Sequence, residues 1–109
     1  PLFGSIAGAE SVLLGLDAED RTAVAMAEAP HGTAPALQGK DLANPMAMIL
    51  ACAAVLYQAG DAGHADAERM SGGIYEAVFG VTAAGIRTPD LGGDASTTEF
   101  TDAVIERIR

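Results

Sequence analysis

The sequence predicts an α/β unit of two short strands and about three helices, built as part of a larger layered domain. Two β-compatible runs flank a polar turn near the start of the chain, and later segments carry helix-start signals ahead of apolar stretches. Two strands are too few to form a sheet covered on both faces, so the unit reads as one portion of an α/β layer.

Taking the elements in order, "SVLLGLDAEDRTAVAMAEA" places residues 11–16 and 22–27 around the polar turn 17–21, as a hairpin or two neighbouring strands. In "NPMAMILACAAVLYQAG", Asn44 is a suitable N-cap, Pro45 fits the first helical position and Gly60 fits a stop. This helix is apolar nearly all round, which predicts a buried central helix. A second helix is expected over 62–84, with Ala67, Met70, Ile74, Val78 and Val81 as its buried stripe. Gly72, Gly73 and Gly80 each cost such a helix roughly 1 kcal/mol relative to Ala, so they are expected to permit a close helix contact. After the Pro/Gly loop "RTPDLGGDA", Ser96 and Glu99 form a capping box ahead of Phe100, Val104 and Ile108.

Composition narrows the function. At 109 residues the chain supports one domain with one modest core, and any activity needing a cleft between two domains must borrow its other wall. Hydrophobic residues make up 50% and aromatics only 5%, with no Trp, so the core is expected to be small and aliphatic. A net charge of −9 would repel a phosphate backbone, which argues against nucleic acid and anionic membrane as partners. No apolar run of about 18 residues is present. The lone Cys52 excludes an intramolecular disulfide and fits a buried, reduced thiol and a cytoplasmic location. The opening "PLFGSIAGAE", without Met and in mid-pattern, points to a processed chain or a fragment.

Between strands and helix lies "HGTAPALQGKDLANP", longer than most structureless connections in compact domains. From its residues alone it fits a structural Ω-like loop and a ligand loop equally well. Gly32 and Gly39 allow close approach, Pro35 and Pro45 stiffen the path, and His31 and Asn44 offer groups that suit a base and ribose. Neither G-x-G-x-x-G after a strand nor G-x-x-x-x-G-K-[ST] occurs, so no common phosphate cradle is present.

The string "EAPHGTAPALQGKDLANPMAMIL" resembles the adenosine-binding loop and following helix of the β-decarboxylating dehydrogenases, the isocitrate and 3-isopropylmalate dehydrogenase family. That family's pattern runs approximately E-x-x-H-G-[ST]-A-P-D-I-x-G-K-x-x-A-N-P. "TPDLGGDASTTEFTDAVI" is similar to its C-terminal signature, and the resemblance covers essentially the whole chain. It implies that residues 1–109 are a single C-terminal, cofactor-side segment of the family's large domain, incomplete relative to the family's fold.

By the same resemblance His31, Gly32, Thr33, Ala34 and Pro35 line the adenosine pocket, Asn44 approaches the adenine, and Glu28 lies toward the nicotinamide ribose. Ala36 stands where NAD-using members carry an Asp for the ribose hydroxyls. Ala36, Leu37, Pro89 and Gly93 occupy the neighbourhood where NADP-using members pair with a 2'-phosphate, so the implied cofactor is NAD over NADP.

The family's metal, substrate and proton-handling motifs are not found in this sequence, so no catalytic or metal residue is assigned and Mg or Mn is expected only in a complete enzyme. The expected function is the cofactor-binding part of an oxidoreductase that oxidatively decarboxylates a 2-hydroxy diacid such as isocitrate or 3-isopropylmalate. It would be inactive without an N-terminal catalytic portion. The alternative is a non-catalytic adenine-nucleotide-binding or homo-oligomeric assembly module.

The remaining residues take plainer readings. His64 belongs to a solvated helix face, Cys52 is a core thiol, and Tyr57 and Tyr75 are packing residues. Asp17, Glu19 and Asp20 form a solvated turn, and Asp90 caps or braces the later loop. Lys40 either steadies the first loop or contacts cofactor.

Overall fold

The computed structural model describes residues 8–109, so the opening stretch that pointed to a processed chain lies mostly outside the described residues. The order is β1 (Ser11–Leu16), β2 (Thr22–Glu28), α1 (Met46–Asp61), α2 (Ala65–Ala83) and α3 (Thr97–Ile108), with 3-10 turns at Pro35–Leu37 and Pro89–Leu91.

β1 and β2 form an antiparallel hairpin, with Ser11 opposite Glu28, Leu13 opposite Met26 and an irregularity between Gly15 and Leu16. Its turn is more than a solvated acidic run. Asp17 Oδ1 accepts from the backbone N–H groups of Glu19 and Arg21, both at 2.9 Å, and Oδ2 accepts from Arg21 Nε at 3.0 Å. The backbone N–H of Arg21, foremost among these donors, holds the Asp17 carboxyl below its ordinary value.

The core is helical and mostly small and aliphatic, as the composition predicts, but it closes on one aromatic side chain, Phe100. Met46 and Leu50 of α1, Ala77, Val78 and Val81 of α2, and Phe100 and Val104 of α3 meet in one cluster, with Phe100 fully enclosed. The α3 capping box forms as expected: Ser96 Oγ accepts from Glu99 N at 3.0 Å, and Glu99 Oε2 accepts from Ser96 N at 2.9 Å.

Several expectations about the helices are corrected. Gly60 does not stop α1, which runs on to Asp61. A Cβ on Gly60 would meet Glu68 Cβ at 2.5 Å, so this glycine lets the start of α2 lie against the end of α1. The turn is made instead by Gly63, whose φ of 113° is the conformation glycine favours, and α2 therefore begins at Ala65 rather than near Ala62. The start of α1 lies one residue later than expected: Pro45 occupies the N-cap and Met46 the first helical position, and Asn44, one residue outside, still accepts from Met46 N through its Oδ1 at 2.9 Å.

Nor is α1 buried all round. Met48, Cys52, Val55 and Tyr57 are exposed, because α2 and the hairpin cover only part of its circumference. Cys52 is thus a surface thiol, not a core one, and Tyr57 is not a packing residue. On α2 Val78 and Val81 are buried and Ile74 packs against the core, as the predicted stripe has them, but Met70 is exposed and Ser71 is buried in its place, its hydroxyl donating to Ala53 O at 2.6 Å. Gly72 and Gly73 face open space, whereas Gly80 lies against the Arg107 guanidinium, so only one of the three makes a close contact. Ile108, in the last turn of α3, is exposed although that turn lies beside Gly73 and Ala77 of α2.

Candidate functional site

Where β2 ends, the chain turns through His31, whose backbone N–H donates to Ala29 O at 2.8 Å. His31 Nδ1 lies 2.8 Å from Gly32 O. A carbonyl can only accept, so Nδ1 carries a proton and the other ring nitrogen, Nε2, is turned away from this contact. Ala34 then adopts φ 43°, ψ 63°, a left-handed conformation that costs a non-glycine residue roughly 1–2 kcal/mol. Leu37 N donates to Ala34 O at 2.8 Å, closing the 3-10 turn. Asp41, at φ 56°, is left-handed too. Backbone strain of this kind concentrates at ligand sites and switch regions.

The strained loop is stitched to the start of α3. Asp41 Oδ1 accepts from Thr98 Oγ1 at 2.8 Å and from Thr98 N at 3.0 Å, while Thr97 Oγ1 donates to Ala43 O at 2.5 Å. The Thr98 hydroxyl leads in holding the Asp41 carboxyl below its ordinary value. A carboxylate there also complements the positive end of α3.

The loop's far end is tied to the second Pro/Gly loop. Asn44 Nδ2 donates to Asp90 Oδ2 at 3.0 Å, and Thr88 Oγ1 donates to Asp90 Oδ1 at 2.5 Å. Thr88 is fully buried and Asn44 only 7% exposed, so both hydrogen bonds are anchored from the inside. Asp90 braces its own loop, as the sequence suggests, and reaches across to the other.

Between the two loops lies a cleft of about 620 Å³, in the size range of small-molecule sites. Of the residues expected to hold adenosine, His31, Gly32, Thr33, Ala34 and Asn44 line it. Pro35 faces a neighbouring cleft together with Gln38. Glu28 stands apart, exposed at the end of β2 and paired with Ser11. Ala36, in the 3-10 turn, and Lys40 are not among the lining residues.

Sequence reasoning missed Leu42 and Ala43 as site residues, and it gave Leu37, Pro89 and Asp90 no place on the adenosine wall, yet all five line the cleft. Two leucines in an otherwise polar loop were the available signal. No Lys or Arg among the described residues lines this cleft.

Away from the cleft, Tyr75 of α2 donates to Glu10 Oε1 at 2.9 Å, and burial first, then this neighbour, pushes its phenol up to about 12. His64 is exposed beside the start of α2 and makes no capping bond. Among the described residues no group of three or more His, Cys, Asp or Glu side chains is placed to hold a metal ion, and no helix is long and apolar enough to cross a membrane.

The strained loop, laid beside the start of α3 and facing a mostly apolar cleft, is the candidate site of this α/β unit. Residues 1–104 match the family described as isocitrate/isopropylmalate dehydrogenase. The chain is 43% identical over 90 residues to an isocitrate/homoisocitrate dehydrogenase of Thermus thermophilus, covering 83% of this chain and 25% of that protein. It is 45% identical over 87 residues to subunit 2 of a mitochondrial NAD isocitrate dehydrogenase of Kluyveromyces lactis, covering 78% of this chain and 22% of that protein. The crystal structure of an isocitrate dehydrogenase from Methylococcus capsulatus superimposes with a TM-score of 0.66 at 39% identity, over 79% of this chain and 24% of that one. The chain therefore belongs to the isocitrate/isopropylmalate dehydrogenase family, and it spans about a quarter of the length of these relatives.

Proposed function

We propose that the chain supplies the adenosine-binding wall of the cofactor site in an NAD-dependent oxidoreductase that oxidatively decarboxylates a 2-hydroxy diacid such as isocitrate or 3-isopropylmalate. The observation that carries this reading is the gathering of His31, Gly32, Thr33, Ala34 and Asn44 on one cleft. Apolar walls from Leu37, Leu42 and Pro89 suit the faces of a flat base, and Thr33 and Asn44 supply polar groups at its edge. Backbone strain at Ala34 fits a loop shaped for a ligand. Pro35 and Glu28 would act at the margins, Glu28 toward the nicotinamide ribose.

NAD is favoured over NADP because the cleft contains a carboxylate, Asp90, and, among the described residues, no cation to pair with a 2'-phosphate. When bound, NAD would accept the hydride; this chain's residues would bind and orient its adenosine end. Mg or Mn, the substrate-binding groups and the proton-transfer groups are assigned to an N-terminal portion of a complete enzyme. By this reading the chain alone is inactive. The exposed hairpin and the open face of α1 would be covered by that portion or by a second copy, and a lone free thiol suits a reducing compartment such as the cytoplasm.

The test is a calorimetric titration of the chain with AMP, NAD and NADP. AMP and NAD should bind, NADP should bind more weakly, and His31→Ala should lower the affinity for AMP. Binding that is absent, or unchanged by His31→Ala, would leave the non-catalytic assembly module as the better account.

A further inference from the structure

The first turn of α3 carries more donors than its own capping box satisfies, and the first loop takes the remainder. A helix start leaves its leading backbone N–H groups without partners inside the helix. In α3 the box of Ser96 and Glu99 accounts for the N–H groups of those two residues. The N–H groups between them go to a single loop residue: Thr97 N donates to Asp41 O and Thr98 N to Asp41 Oδ1, both at 3.0 Å. The two hydroxyls reach the same way, Thr98 Oγ1 donating to Asp41 Oδ1 at 2.8 Å and Thr97 Oγ1 to Ala43 O at 2.5 Å. Residues 41 and 43 are thus tied to α3, and Leu42 between them lines the cleft together with Ala43. Asp41, Thr97 and Thr98 are not among its lining residues. The φ of 56° at Asp41 would suit glycine at no steric cost, so a carboxylate at this position is explained by what it binds and not by its backbone.

Resting on the adenosine reading above, we propose that Asp41, Thr97 and Thr98 are positioning residues: a strap from α3 that holds residues 37–43 in the shape the nucleotide binds, without touching the nucleotide. The strap acts through Leu42 and Ala43. With it in place the apolar wall of the cleft is built before the ligand arrives, so little ordering of the loop is left for binding to bring about. Without the Asp41 carboxylate the loop samples other shapes, and the apparent affinity falls with the fraction of molecules that keep the competent one. Losing a pair of hydrogen bonds to a charged acceptor is enough for a fall of roughly tenfold. The effect belongs to the two partners jointly, so a second cut to a strap already broken adds nothing. α3 itself stays anchored by Phe100, Val104 and its capping box, so the strap bears on the loop more than on the core.

The experiment measures dissociation constants for AMP on the chain itself, on Asp41→Gly, Thr98→Val and Thr98→Ser, and on the double variant Asp41→Gly with Thr98→Val, with thermal melts to establish that each is folded. Glycine keeps the left-handed backbone accessible while removing the carboxylate, and valine keeps the shape of Thr98 while removing its hydroxyl. Asp41→Gly should weaken AMP binding roughly tenfold and Thr98→Val by a smaller factor. The double variant should bind no worse than Asp41→Gly alone, and Thr98→Ser should bind as the native chain does. In the ligand-free chain, amide exchange at Lys40, whose N–H donates to Leu37 O, should quicken in Asp41→Gly. If Asp41→Gly does not fold, the contrast between Thr98→Val and Thr98→Ser decides. AMP affinity or Lys40 exchange untouched by Asp41→Gly, or losses that compound in the double variant, would overturn the proposal while leaving the adenosine reading standing. Failure of the native chain to bind AMP at all would remove both.

Discussion

The hairpin and the helical half of this chain have similarly apolar sequences and opposite fates. α1, α2 and α3 converge on Phe100 and close a core among themselves. The hairpin encloses almost nothing: Leu13 and Val24 are 65% and 64% exposed, and Val12, Leu14, Leu16 and Met26 are exposed as well. Because side chains alternate along a strand, Leu13, Met26 and Val24 share one face, which is open, while the opposite face with Val12 and Leu14 is only partly covered by α1. A helical trio can satisfy its own apolar stripe, whereas a two-stranded ribbon has no interior until something lies on it. Apolar residues at consecutive strand positions thus describe the surroundings for which the hairpin is built, not the ones this chain supplies.

Core truncation separates the two halves most sharply. Phe100→Ala should cost about 3–5 kcal/mol in urea unfolding, because it empties a fully enclosed site. Leu13→Ala on the isolated chain should change stability by less than about 0.5 kcal/mol. A large loss at Leu13 would mean that the hairpin is covered in solution. Next in size, Ser96→Ala removes one half of the α3 capping box and should cost about 1 kcal/mol, read from the same unfolding curves.

The smallest effect concerns acid. Asp41 has its folded pKa lowered from the ordinary 3.8, chiefly by the Thr98 hydroxyl, so its contribution is present above that value and is lost as pH falls through the lowered one. Asp41→Asn should flatten the fall in thermal midpoint at the acid end of the profile and leave its slope near neutral pH unchanged.

Much of the fold was legible because its signals are local. The strand positions follow from two β-compatible runs flanking the polar turn Asp17 to Arg21, and the α3 start follows from Ser96 and Glu99. What escaped depends on contacts distant in sequence. Gly60 reads as a helix stop until the approach of Glu68 is known, and Cys52 reads as buried because its neighbours are apolar. In the candidate site, the first loop was recognisable from its motif. The cross-loop bond from Asn44 to Asp90 spans 46 residues, and the strap from Asp41 to Thr98 spans 57, with no periodicity to announce either.

The central claim is that the ligand site of this chain lies between its two loops and not on its exposed hairpin. Two-dimensional amide NMR of the chain during titration with AMP tests it most directly. Shifts that saturate together at His31, Gly32, Thr33, Asn44 and Asp90, with Leu13 and Val24 unmoved, are the predicted result. No saturable shifts, or shifts centred on the hairpin, would contradict it.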